Sequence, residues 1–78
     1  MGASERLKTA GEAAELLEEM GYVSVARLCD GVVTLECWER TRVSGRMIRQ
    51  IVDDEAITKR LLAETCAAAF RGATPDAS

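Results

Sequence analysis

The sequence predicts an α+β fold in the order helix, three-stranded antiparallel sheet, helix (αβββα). Three observations carry the prediction: an apolar stripe at helical spacing near each end, a two-residue period between them, and the dipeptide Asp30-Gly31 inside that middle segment. With 78 residues, 47% of them hydrophobic and 29% charged, the chain holds one core and one domain. Residues 1–72 are assigned to that domain and residues 73–78, with Pro75 among small residues, to a flexible C-terminal tail.

In the first helical segment Leu7, Ala10, Ala13, Ala14, Leu16, Leu17 and Met20 recur every three or four residues, while Glu12, Glu15, Glu18 and Glu19 fall on the opposite face. Thr9 followed by Glu12 reads as a capping box, which starts the helix at Thr9, with Ser4 as an earlier candidate cap. Gly21 ends it, because a glycine past the last apolar position takes the left-handed conformation that closes helices, and Tyr22 is then expected to fold back on the last turn.

From Tyr22 the residues become β-branched or aromatic and alternate, giving strands over Tyr22 to Cys29 and from Val32 to about Arg42. The Asp30-Gly31 loop favours a tight primed turn and fixes the register: Cys29 opposite Val32, Leu28 opposite Val33, Ala26 opposite Leu35 and Val23 opposite Trp38. Ser44-Gly45 then reads as a second turn, returning Arg46 to Val52 as a third strand; the competing reading has Ser44 capping a short helix. Asp53 or Asp54 is the expected cap of the last helix, whose stripe is Ile57, Leu61, Leu62, Cys66, Ala69 and Phe70 and which Gly72 ends.

This register sorts the sheet into two faces. One carries Ala26, Leu28, Val33, Leu35 and Cys37, extended by Ile48 and Val52, and forms the floor for helices. The other carries Val23, Val25, Val32, Trp38, Met47 and Ile51 among Arg27, Thr34, Glu36, Arg40 and Arg49. A second face that is partly apolar needs a cover. Either one helix packs on each face, or the second face is a surface for self-association or a partner. In the latter case Val23, Val25, Trp38, Met47 and Ile51 form the interface of a homodimer, and the tryptophan ringed by arginines has the composition of a binding hot spot.

The net charge of −3 hides a segregated pattern, because residues 40–50 hold four arginines, Arg40, Arg42, Arg46 and Arg49, and no acid. Such a strip could grip phosphate, yet domains that bind nucleic acid are usually basic overall and this chain has a pI near 4.9. Its plainer reading is a solvated strand edge protected by charge. The acidic face of the first helix, with Glu12, Glu15 and Glu19, is a candidate surface for a basic protein groove or, more simply, the wet side of an amphipathic helix.

Catalytic chemistry is not signalled. The chain has no histidine, Ser44-Gly45 has no base beside it, and there is no phosphate-cradling glycine loop, so no catalytic residues, cofactor or metal are assigned. Cys29, Cys37 and Cys66 lack the spacing of a zinc site and are odd in number, which argues against a disulfide framework. No stretch has the length of a membrane span and the N-terminus has no apolar leader, so a cytoplasmic protein without membrane contact is expected.

Two resemblances add expectations. The stretch from Val33-Thr34-Leu35 through the turn to Leu61-Leu62-Ala63-Glu64 and Ala67-Ala68-Ala69, with the order helix, three strands, helix, resembles the YbaB-type nucleoid proteins, which implies a dimeric DNA binder. The expected glycine-rich approach to the first strand is missing here, and the first helix is shorter. At class level the small, mildly acidic α/β chain without catalytic signature resembles anti-CRISPR inhibitor proteins. That resemblance implies a non-enzymatic inhibitor that binds a subunit of a CRISPR interference complex and occludes it from target DNA. It transfers no site residue. The residues proposed for partner contact, Trp38, Arg40, Arg42, Arg46 and Arg49 with Glu12, Glu15 and Glu19, come from the faces alone.

Overall fold

A computed structural model of the chain describes residues 2–40 and 47–72. Helix α1 spans Ala3–Glu19, strands β1, β2 and β3 span Tyr22–Cys29, Val32–Glu39 and Met47–Ile51, and helix α2 spans Lys59–Gly72. The sheet is antiparallel in the order β1-β2-β3, which gives the expected αβββα fold.

Helix α1 begins earlier than its capping-box signature indicates. Gly2 precedes its first turn, no side chain caps it, and Ser4, Thr9 and Glu12 all lie inside the helix. Six residues before Thr9 are held helical by packing, since Ala3 and Leu7 lie against the core. Arg6 adds a clasp: its Nη1 donates to Glu55 at 3.3 Å and its Nη2 to the carbonyl of Gly31 at 3.2 Å, tying the start of α1 to the hairpin turn and to the approach of α2. At the other end Gly21, with φ 101°, donates its N–H to the carbonyl of Glu18 at 3.1 Å and closes the helix as expected. Tyr22 does not simply fold back on that turn. Its ring stacks on Phe70 of α2, with centroids 4.9 Å apart.

The hairpin register matches the Asp-Gly expectation at every pair from Tyr22 opposite Glu39 to Cys29 opposite Val32. Asp30 (φ 53°) and Gly31 (φ 77°) both take positive φ, as a type I′ turn requires. Strand β2 stops at Glu39 rather than near Arg42, and Arg40 donates its backbone N–H to Gly21 at 3.1 Å. The return segment is a strand, not a short helix, with Cys37 opposite Ile48 and Glu36 opposite Arg49. The described strand runs from Met47 to Ile51, and Val52 continues the pairing through a 2.8 Å bond to Val33. The Ser44-Gly45 turn, Arg42, Arg46 and the assigned tail of residues 73–78 lie outside the described residues.

The cap of α2 also differs from expectation. Thr58 Oγ1 accepts the N–H of Leu61 at 3.1 Å, so Thr58 is the N-cap. Asp54 is spent earlier, its carboxylate accepting the N–H of Ala56 at 2.9 Å in a local turn. Asp53, one residue before that turn, is exposed. In this helix Leu62, Ala63, Cys66, Ala67 and Phe70 are buried, while Leu61, expected on the buried stripe, is exposed.

Both helices pack on the same face of the sheet and against each other. The core joins Ala10, Ala13 and Leu17 of α1, Val33, Leu35 and Cys37 of β2, Val52, and the buried stripe of α2. Each fully buried leucine in it contributes on the order of 1.5–3 kcal/mol. Small residues at Ala10, Ala13, Ala63 and Ala67 let backbones approach closely. Besides Leu61, two residues expected in this layer fall outside it: Leu28 beside the turn and Met20 at the C-cap of α1 are exposed.

A candidate binding face on the open side of the sheet

Among the described residues nothing covers the side of the sheet away from the helices. Strand alternation and register place its side chains in rows: Val23, Trp38 and Met47; then Val25, Glu36 and Arg49; then Arg27, Thr34 and Ile51; and at the turn end Cys29 with Val32. Val23, Val25, Val32, Met47 and Ile51 are 41–56% exposed, and Trp38 is half-buried. All five residues expected at a dimer interface are therefore together on one face. Neighbouring apolar side chains in solvent form a patch of the kind that monomeric proteins rarely leave exposed without use.

Glu36 lies at the centre of this face and is the one buried polar residue among the described residues, at 8% exposure. Its Oε2 accepts from Arg49 Nε at 3.1 Å, directly across the strand pair, and its Oε1 accepts from Arg27 Nε at 3.3 Å. The central strand supplies the acid and the two flanking strands supply the bases, so this triad spans the sheet. The guanidinium side chains are 58% and 65% exposed, whereas that of Glu36 is 10% exposed. The outward charge is therefore cationic over a sunken carboxylate.

Sequence reasoning placed Arg27 and Glu36 on this face without giving them a role. The hairpin register alone leaves Glu36 beside Val25, and only the register of β3 brings Arg49 opposite it.

The described part of the arginine strip is divided between two places. Arg49 belongs to the triad, whereas Arg40 follows β2 and donates to the carbonyl of Glu18 at 3.3 Å, with the Glu18 carboxylate at 3.6 Å. Glu15 and Glu19 are exposed on α1 and Glu12 is half-buried, so these acids lie on the helix layer and do not join the open face.

Cys29 is exposed at the turn end of the open face, while Cys37 and Cys66 are buried in the core, so Cys29 and Cys37 point to opposite sides of the sheet. A hydrogen bond to Cys37 and burial push the Cys66 thiol well above its ordinary pKa, and Cys37 Sγ lies 3.8 Å from the Ile48 carbonyl. These two behave as small apolar core residues. Among the described residues no group of three or more acids, cysteines or histidines is placed to hold a metal ion, and no helix is long and apolar enough to cross a membrane.

Comparison with known protein families, with curated proteins and with solved structures finds no match to this chain. The reading of the face therefore rests on its own chemistry.

Proposed function

We propose that the chain is a non-enzymatic protein-binding inhibitor that docks its target on the open sheet face and acts by occlusion. The observation that carries this reading is the sheet side opposite the helices, where apolar residues 41–56% exposed surround Trp38 and an arginine-glutamate-arginine triad. Tryptophan, tyrosine and arginine are enriched at binding hot spots, where they sit in well-packed pockets from which water is excluded. The class resemblance supplies the target: a subunit of a CRISPR interference complex in the cytoplasm, kept from target DNA by a bound inhibitor. Binding to a protein is favoured over binding to DNA because the chain as a whole is acidic and Arg40 is engaged with Glu18.

The test is target-DNA binding by the purified interference complex of the native host. Wild-type protein is expected to reduce that binding. Trp38→Glu is expected to relieve the block while keeping a native circular dichroism spectrum. An excess of wild-type protein that leaves DNA binding unchanged ends the assignment of this target, and a folded Trp38→Glu protein that still blocks moves the docking surface elsewhere.

A further inference from the structure

We infer that the partner of the open face is a protein segment that carries carboxylates among apolar side chains, and that Arg27 and Arg49 receive those carboxylates. This rests on the reading of the face as a docking surface and adds the chemistry of the occupant.

The hydrogen bonding of the triad is the starting point. One carboxylate serves two guanidinium groups, and each guanidinium reaches it through Nε alone. A guanidinium has five N–H donors, and its outer pair suits a carboxylate bound in parallel. Among the described residues the Nη groups of Arg27 and Arg49 make no other hydrogen bond, and both side chains are more than half exposed. The buried carboxylate holds the two arginines in place by their inner edges. Their outer edges face solvent as prepared sites for anions.

A second copy of the chain fits this face poorly. Pairing two such faces would bring four guanidinium groups together with two carboxylates, leaving two cations removed from water without partners. Nucleic acid would satisfy the guanidinium groups through phosphate. However, single strands are held by successive aromatic platforms, and this face has one tryptophan, half-buried, among aliphatic Val23, Val25, Met47 and Ile51.

An acidic and apolar protein segment meets both requirements. Its carboxylates complete the unspent donors, and its apolar side chains cover the Val23, Trp38 and Met47 row on one side of the triad and Ile51 on the other. Arg27 and Arg49 donate to the two oxygens of one carboxylate, so their guanidinium groups converge and one acidic segment can reach both.

The experiment selects from a random displayed peptide library on the whole protein and then titrates the enriched peptides, with fluorescence of Trp38, the single tryptophan, as the readout. Enrichment of Asp and Glu interleaved with Leu, Ile, Val or Phe is expected, with affinity that falls as salt rises. The variant combining Arg27→Gln, Glu36→Gln and Arg49→Gln removes the guanidinium groups without stranding the acid. It should bind those peptides about tenfold or more weakly, a loss of about 1.4 kcal/mol.

The inference is overturned by enrichment of neutral or basic peptides, by no enrichment, or by unchanged affinity in the triple variant. Tighter binding of oligothymidine than of any peptide, or a wild-type dimer in sedimentation that Ile51→Arg dissociates, overturns it equally. If Trp38→Glu relieves the block of the interference complex but the triple variant still blocks, the docking reading stands and the acidic partner chemistry falls.

Discussion

The two faces of the sheet use the same strands and much the same residue types, yet they differ in what lies over them and in how they treat charge. On the helix side Val33, Leu35 and Cys37 of β2 are almost wholly buried, and no strand residue on that side carries a charge except at the strand ends. On the open side Val25 and Ile51 are exposed, and the central position of β2 is Glu36, held between Arg27 and Arg49. Apolar content alone does not distinguish the covered face from the open one. The position of charge does, because a helix-covered layer leaves no water for a cation, whereas a surface that must wait in solvent can carry one.

Three substitutions would break or sharpen this contrast. Leu35→Ala, on the covered face, is expected to cost about 2–5 kcal/mol. A domain of this size holds a stability of that same order, so urea denaturation should show most of the protein unfolded or a large fall in midpoint. Glu36→Ala, on the open face, should cost about 1 kcal/mol, because the arginines it releases are already largely hydrated and turn to water. A loss as large as that of Leu35→Ala would mean that Glu36 organises the core and not the surface. Ile51→Thr should change stability by less than about 0.5 kcal/mol, since the side chain is 56% exposed and threonine keeps the β-branched shape. A drop of several kcal/mol in the same urea titration would show that the face is covered in solution.

The hairpin was the most legible part of the sequence because one dipeptide dictates both the turn and, through the two-residue period, every pair up to Tyr22 and Glu39. Helix starts were legible only as alternatives. Thr9 and Glu12 have the spacing of a cap but lie in mid-helix, where packing of Leu7 and Ala3 outweighs a local hydrogen bond worth about 1 kcal/mol. Asp54 had the right chemistry for a cap and a different use, and Thr58 was overlooked because Ile57 before it already fits the apolar stripe. In the candidate site Trp38 and its aliphatic neighbours followed from alternation. The triad did not, because the pairing of Glu36 with Arg49 depends on a β2–β3 register for which the sequence carries no signal as strong as Asp-Gly.

The same tight turn has a consequence for the order of folding. A hairpin closed by two residues pairs neighbours in the chain and forms in about 1–10 μs, whereas α2 must return across the whole sheet before Tyr22 can stack on Phe70. Helix α1 and the hairpin are thus expected to assemble first and to hold Val33, Leu35 and Cys37 under a roof that is only half built. During that interval the open side, and the part of the other side that α2 will cover, both face water. Docking of α2 ends the interval for one side and leaves the other side open.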